Sequence, residues 1–225
     1  VLFDNQLREP QQAEKFQAAA RQYGVAVPSM AMSGFFAQSF LTRDNYQDLL
    51  KDCFQTMKLF GSKVAFLPLG GSGKDWQQEG CAAYQKMVSR LRTAGEMAKQ
   101  EGITIGIRTG MGAKFDKKLL KKVGSSQIKV YYNFQDAADH HRDICKELRK
   151  LGAQRIVQIH ASNTDGVNLQ EDPEINLPKI RKTLDKMKWS GWLVVERSRD
   201  VKRVRDVKYN FGRNVAYLKQ VFQER

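Results

Sequence analysis

The feature that most constrains the fold of this chain is a regular alternation of short apolar runs with long amphipathic stretches. Apolar or β-branched runs predict seven strands, at residues 1–3, 25–32, 63–69, 103–107, 128–132, 155–159 and 192–195. Helical patterns occupy residues 10–23, 43–60, 76–100, 115–123, 136–151, 175–187 and about 206–222. Strands that alternate with helices in this way predict a parallel sheet covered by helices on its faces.

The junctions between the predicted elements support one barrel. Several helical stretches end in a glycine just before the next strand, as in YGVAV, FGSKVAF and EGITIGI, and glycine readily adopts the left-handed cap of a helix. No proline-rich or glycine-rich linker is present, so residues 1–225 are predicted to form one domain.

Seven βα units are one short of a (β/α)8 TIM barrel, and the chain opens on the strand-like VLFDN. We therefore expect the first strand and helix of the barrel to lie upstream of residue 1. A doubly wound open sheet is the alternative, but the glycine fingerprint that usually follows its first strand is missing.

Composition sets further bounds. A hydrophobic content of 41% is enough for a large core, and no apolar run approaches the roughly 18 residues of a membrane span. No export leader is visible, so we expect no membrane association and a cytoplasmic protein, or an exported one if an upstream signal has been removed. Cys53, Cys81 and Cys145 are odd in number and far apart, which predicts free thiols packed as small apolar residues.

The charge balance is strongly basic, with 38 Lys and Arg against 24 Asp and Glu and a formal net charge of +14. Such a surface attracts polyanions. The basic residues are spread over residues 117–122, 142–150 and 199–208, and each of these stretches also fits the solvated face of a helix or a loop. Both interpretations stay open.

Two motifs are set aside. The stretch LGGSGKDW at 69–76 resembles a phosphate-binding loop, but Pro68 and Asp75 occupy positions where that loop needs glycine and Ser or Thr. It is predicted to be a strand-to-helix loop in which Lys74 and backbone amides can contact a substrate. His140 and His141 lie in a predicted helix, where neighbouring side chains diverge and cannot both bind one metal ion.

Polar residues follow four successive apolar runs directly. They are Arg108, Asn133, His160 and Glu196. In a parallel barrel all strands end at the same mouth, where the active sites of such barrels lie. The sequence therefore predicts that these four side chains share a pocket.

The segments IGIRTG, KVYYNFQDA, RIVQIHASNTDG and GWLVVE resemble, in this order, the xylose isomerase-like TIM barrels, the sugar phosphate isomerase/epimerase family. The resemblance implies a barrel that acts on a small carbohydrate or a sugar phosphate and that can form homo-oligomers. Typical members hold Mn, Mg, Co or Zn with two glutamates, an aspartate and a histidine. His160 and Glu196 match two of these ligands, whereas Arg108 and Asn133 replace the first glutamate and the aspartate.

Two further positions depart from the family. Asp136 replaces a histidine, and Ser162–Asn163 replaces a lysine–aspartate pair. The four ligand positions have lost their net negative charge, and a cation about 4 Å from a dication is repelled by roughly 8 kcal/mol at an effective dielectric of 20. We expect no metal cofactor, or at most a weakly bound divalent ion, and we expect Arg108 to pair with Glu196 instead.

These substitutions define the predicted activity. Arginine cannot accept a proton near neutral pH, so two-base epimerisation is expected to be lost. Glu196 and His160 are the predicted catalytic residues of a one-sided isomerase or lyase. The predicted substrate-binding residues are Arg108, Asn133, Asp136, Asn163 and Lys74.

Two other functions remain as alternatives. The first is a carbohydrate-binding relative that has lost catalysis. The second is a barrel like the apurinic endonucleases, which the positive charge favours. The missing carboxylates and the total of three histidines argue against it, so nucleic acid is not expected as a partner.

Overall fold

The computed structural model describes residues 6–70 and 75–224. Its six strands lie in one sheet in chain order, with neighbouring strands parallel. The strands are β1 (Ser29–Ala31), β2 (Val64–Pro68), β3 (Thr104–Arg108), β4 (Ile128–Asn133), β5 (Ile156–His160) and β6 (Leu193–Val194). This arrangement confirms the predicted TIM barrel fold, of which the described residues supply six strands.

Helices follow the strands as the βα pattern predicts. They are α1 (Pro10–Tyr23), α2 (Gly34–Ala37), α3 (Tyr46–Phe60), α4 (Ala82–Gln100), α5 (Ala113–Val123), α6 (Phe134–Ala138), α7 (Ile144–Leu151), α8 (Leu177–Lys186) and α9 (Val207–Phe222). The glycines after α1 and α3 adopt the expected left-handed conformation, with φ of 61° at Gly24 and 65° at Gly61. A side chain is disfavoured there, which explains why glycine ends both helices.

The chain groups into two compact units, residues 1–109 with 118–130, and residues 110–117 with 131–225. In the first unit α3 packs against β1 and α4, and α4 packs against β3. Leu50 and Met57 of α3 and Leu91 of α4 are fully buried in its core. The parallel register of β2 and β3 places Pro68 beside Arg108 at the carboxyl end of both strands.

The second unit contains the end of β4 together with β5, β6 and helices α6 to α9. Helix α7 packs on α8, α8 packs on α9, and β5 pairs with β6 so that His160 lies beside Val194. Leu148, Leu151 and Leu177 are fully buried between these elements. The prediction that all residues form one domain is not decided by this grouping and stays a prediction.

Several elements differ from the sequence-based predictions. The predicted helix at 136–151 is wrong, because α6 ends at Ala138 and α7 begins at Ile144. His140 and His141 lie in the turn between them, where His141 has a left-handed φ of 50° and the Asp143 side chain caps the new helix. Strand β1 is shorter than predicted, and the predicted strand at 1–3 lies outside the described residues.

The three cysteines are free, as predicted. Cys53 and Cys145 are buried, and burial raises the pKa of Cys53 to about 12. Cys81 has a different role from the predicted apolar packing, because its sulfur caps α4 by accepting a hydrogen bond from the Tyr84 N–H at 3.3 Å.

Within the part of the chain that the structure describes, no helix combines the length and the apolar character needed to cross a membrane.

Candidate active site

The carboxyl ends of β5 and β6 bring two predicted site residues together. His160 is the last residue of β5, and Glu196 lies two residues beyond its neighbour Val194. His160 Nδ1 is 3.5 Å from Glu196 Oε2. The imidazole is nearly buried, whereas 44% of the Glu196 side chain is exposed. The pair therefore has one end inside the fold and one carboxylate open to a ligand.

Asn133 approaches the same imidazole from β4. It is the last residue of that strand and caps α6, with Oδ1 accepting a hydrogen bond from the Gln135 N–H at 2.8 Å. Because the cap uses Oδ1, the amide nitrogen is directed at His160, with Nδ2 3.5 Å from Nδ1. The cap orients Asn133 as a hydrogen-bond donor toward the site.

These contacts give Nδ1 of His160 a partner in either protonation state. When Nδ1 carries a proton it can donate to the Glu196 carboxylate, and when it does not it can accept from the Asn133 amide. The Tyr131 ring packs against the imidazole, with centroids 4.4 Å apart. The site can therefore hold an imidazole in place while its proton moves.

Backbone contacts fix Glu196 at the edge of the strand. Its N–H donates to the Ser162 hydroxyl at 3.3 Å, and Ser162 is buried just beyond His160. The Glu196 side chain keeps its exposed position because its anchor is made by the main chain. Among the described residues, the Glu196 carboxylate caps no helix and closes no turn.

The Asn163 side chain forms hydrogen bonds within the protein, whereas a substrate-binding side chain would present them to a ligand. Its Nδ2 donates to Asp172 and to Glu174, both at 3.0 Å, and its Oδ1 accepts from the Thr164 N–H at 2.8 Å. The side chain is buried. Its contacts hold the loop at 172–174 beside the site, and a direct role toward a substrate stays a prediction.

The roles of the remaining predicted residues stay predictions. Arg108 ends β3 and is half-buried in the first unit, and its pairing with Glu196 stays a prediction. Asp136 is half-buried in α6, three residues after Asn133. Lys74 lies outside the described residues.

The sequence analysis missed Tyr131 and Ser162. Tyr131 and Asn133 are two residues apart on one strand and so lie on the same face, which is the signal that could have identified the tyrosine. No sequence pattern predicts the contact between the Ser162 hydroxyl and the Glu196 N–H. The two residues are 34 positions apart and meet because their strands pair.

A polar cluster that no sequence pattern predicted holds the loop that follows β3. Glu147 accepts a hydrogen bond from the Ala113 N–H at 2.7 Å, and Arg142 donates to the carbonyl oxygens of Gly110 and Asp136 at 3.1 and 2.6 Å. Burial, with the Glu147 carboxylate nearby, raises the pKa of Tyr132. Arg142 thereby ties the loop after β3 to the first turn after β4.

The donors at this site do not fit the divalent ion of the typical family site. Among residues 6–70 and 75–224, no three His, Cys, Asp or Glu side chains are grouped so that they could hold a metal ion. Asn133 uses its oxygen for the helix cap and presents its NH2 group, which cannot bind a cation. His160 and Glu196 are left as a two-residue set.

Solved structures show the same fold in distant relatives. A xylose isomerase domain protein from Planctomyces limnophilus matches with a TM-score of 0.73 and 14% identity over 97% of this chain and 86% of its own. The D-psicose 3-epimerase of Clostridium cellulolyticum H10, solved with D-tagatose, matches at 0.73 and 13% identity over 96% and 85%. A family 2 AP endonuclease from Brucella melitensis matches at 0.70 and 14% identity over 88% and 83%.

These identities establish the fold alone. No curated protein matches the chain in sequence. The family description that matches does so over residues 3–221, nearly the whole length. The chain therefore belongs to the xylose isomerase-like TIM barrel family.

Proposed function

We propose that this protein binds a carbohydrate or a sugar phosphate at the carboxyl ends of its strands and moves one proton on it without a metal ion. Glu196 and His160 are the catalytic residues of this proposal. Asn133, Asp136, Asn163, Arg108 and Lys74 are its substrate-binding residues, and two-base epimerisation of the family type is lost.

The contact between His160 Nδ1 and Glu196 Oε2, at 3.5 Å, carries the proposal. A nearly buried imidazole beside a half-exposed carboxylate, with an amide donor at the same ring nitrogen, has the parts needed for proton transfer. An open-chain sugar offers a proton on the carbon next to its carbonyl, which a carboxylate in this position can remove.

The reaction balances as an isomerisation. Glu196 takes the proton from that carbon, the C–H electrons form a carbon–carbon double bond, and the carbonyl oxygen takes a proton from protonated His160. Glu196 then returns its proton to the neighbouring carbon while His160 takes back the proton of the other hydroxyl group. The Asn133 amide hydrogen-bonds the neutral imidazole between these steps.

Proton exchange in D2O tests the proposal. A panel of aldoses, ketoses and their phosphates is incubated with the protein, and NMR follows deuterium at the carbon beside the carbonyl. Positioned acid–base groups contribute about 10²- to 10⁴-fold, so E196Q is expected to lower the exchange rate at least about 100-fold. D185N, which removes an exposed carboxylate on α8, serves as the control. Unchanged exchange in E196Q would exclude Glu196 as the base.

The non-catalytic alternative rests on the same structure. The substituted family positions and the internal contacts of Asn163 fit a pocket that keeps binding but not chemistry. A sugar that raises the melting temperature of the wild type without any deuterium exchange would identify such a binding protein.

A further inference from the structure

A strongly basic segment follows Glu196 directly. This basic segment, residues 197–208, reads RSRDVKRVRDVK. Its basic residues are Arg197, Arg199, Lys202, Arg203, Arg205 and Lys208, and its acidic ones are Asp200 and Asp206. It connects the end of β6 to the start of α9, so it begins at the proposed carbohydrate pocket.

Only part of this positive charge is neutralised. Asp165 accepts hydrogen bonds from Arg199, the shortest at 2.6 Å, and lies 3.9 Å from Arg197. Lys202, Arg205 and Lys208 are exposed, and none of them forms an ion pair with a carboxylate of the described chain. The basic segment therefore presents three uncompensated cations to solvent.

The two aspartates of the segment are used by the backbone. Asp200 accepts from the Lys202 N–H and Asp206 from the Tyr209 N–H, both at 2.9 Å. These carboxylates cap the short helix at 201–203 and helix α9. They fix the path of the chain rather than pairing with the exposed cations.

Three buried asparagines hold the segment rigidly. Asn210 accepts from the Asp200 N–H at 2.8 Å and donates to the carbonyl oxygens of Arg203 and Asp206 at 2.7 and 2.9 Å. Asn214 donates to the Ser198 carbonyl at 2.8 Å, and Asn168 joins Ser198 to Asn210. The main chain that carries the cations is thus held in place, which lowers part of the entropy cost of binding.

The positions of the exposed cations do not favour the folded state. Lys208 is in the first turn of α9, and Arg205 lies just before that helix. The positive end of the helix dipole is there, so basic side chains are unfavourable at these positions. Their mutual repulsion adds to this cost. Stability alone does not explain basic residues at these positions, whereas a role in binding an anion does.

We propose that the basic segment binds the sulfate or carboxylate groups of an anionic carbohydrate chain that extends out of the pocket at Glu196. This rests on the proposed function, because the pocket is taken to hold one sugar of that chain. Three exposed cations along one segment favour a ligand with several anionic groups over a single sugar phosphate.

Other polyanions fit the segment less well. Single-stranded nucleic acid needs aromatic rings for its bases, and the Tyr209 ring is already covered by the guanidinium groups of Arg203 and Arg213, 4.4 and 5.4 Å from its centroid. A membrane surface is bound through large apolar groups such as Trp, Phe or Leu, and the exposed apolar residues here are Val201 and Val207.

Equilibrium binding of a labelled heparin octasaccharide tests the proposal, by fluorescence anisotropy at several salt concentrations. The triple variant K202A/R205A/K208A is compared with K146A/R149A/K150A, which removes the same three charges from the exposed face of α7. Exposed charge pairs contribute up to about 1 kcal/mol each, so the first variant is expected to weaken binding roughly ten- to hundredfold. The second variant is expected to change it less than about threefold.

The arms separate the possible outcomes. Equal losses in both triple variants would overturn the proposal, because bulk charge would then explain the binding. Tighter binding of a DNA duplex or of phosphatidylserine vesicles, lost in the first variant, would assign the segment to those partners instead. Maltooctaose, a neutral chain, tests the pocket separately. If it fails to bind, and if heparin binding depends on the basic segment but is unchanged in E196Q, the pocket function is contradicted and the binding by the basic segment is not.

Discussion

At the residue scale, the side chains around His160 set what the site can do. Asn133 offers an NH2 group there, and in our proposal Arg108 takes the place of the glutamate of the typical family site. Both changes replace an oxygen donor with N–H donors, which bind anions and carbonyl oxygens but not metal ions. In the proposed reaction the remaining carboxylate, Glu196, acts on a proton instead.

This reasoning predicts that metal binding can be restored. The R108E/N133D variant regains two carboxylates at family positions and is expected to bind one Mn²⁺ with an affinity on the order of micromolar, against no measurable site in the wild type. Isothermal titration calorimetry measures both. The variant with H160Q added should lose the site again, and stoichiometric Mn²⁺ on the wild type would contradict the expectation that it binds no metal cofactor.

A second residue-scale prediction concerns Gly112 in the loop after β3. Its φ is 85°, and a Cβ there would lie 2.8 Å from Glu147 Oε2 and 3.1 Å from Arg142 Nε. G112A is expected to lower the free energy of unfolding by about 2–4 kcal/mol, because it adds backbone strain and displaces the cluster.

The matched control for that prediction is G110A. Gly110 has a similar φ of 76°, but nothing lies within 4 Å of its added Cβ. This variant should lose only the strain, about 1 kcal/mol. Urea unfolding of both proteins measures the difference, and equal losses would show that the Glu147 and Arg142 contacts do not matter.

At the scale of elements, α9 owes its attachment to polar groups as well as to its apolar face. Asn210 satisfies the Asp200 N–H and two carbonyl oxygens while fully buried. N210A removes the acceptor of the Asp200 N–H and leaves each carbonyl oxygen with its backbone donor alone, and we expect a loss of about 2–4 kcal/mol in the free energy of unfolding. Q220A, an exposed change on the same helix, should cost less than about 0.5 kcal/mol. Similar losses in the free energy of unfolding for the two variants would show that the asparagine network does not stabilise α9.

The loops after β5 and β6 are joined by Asp165 and Arg199. The Arg199 guanidinium holds the pKa of Asp165 below its usual value, helped by the Arg199 N–H. A lowered folded-state pKa stabilises the fold above the unfolded value of about 3.9, and this contribution is lost as the pH falls through the folded pKa. The stability difference between the wild type and D165N should therefore be largest near neutral pH and shrink below about pH 4. A difference in thermal unfolding that grows on acidification would contradict this.

At the scale of the whole molecule, the sequence predicts the elements well where one pattern decides them. The apolar runs at 63–69 and 128–132 became β2 and β4 because buried parallel strands need little more than apolar residues. The break between α6 and α7 could not be predicted in this way, because Arg142 makes tertiary contacts to Gly110 and Asp136 that no local pattern encodes.

Some features of the candidate site could likewise be predicted from the sequence, and others could not. His160 and Glu196 could be found from the sequence because each follows an apolar run, and their contact follows from parallel pairing of β5 and β6. The use of Asn163 in holding Asp172 and Glu174 depends on the path of a loop. Asparagine at such a position has the same appearance in sequence whether it binds a ligand or a neighbouring loop.

The last prediction concerns the net charge of +14, which acts on the folded chain as a whole. Like charges repel one another more in the compact state than in the unfolded chain, and salt screens this repulsion with a Debye length of about 10 Å at 0.1 M. Raising NaCl from about 20 to 500 mM at pH 7 is therefore expected to raise the melting temperature by about 2–5 °C, although it also weakens favourable ion pairs such as Asp165–Arg199. Choline chloride at the same ionic strength should have a similar effect if screening is the cause. Differential scanning calorimetry measures the shift, and a melting temperature that falls with either salt would show that the attractive pairs outweigh the excess of positive charge.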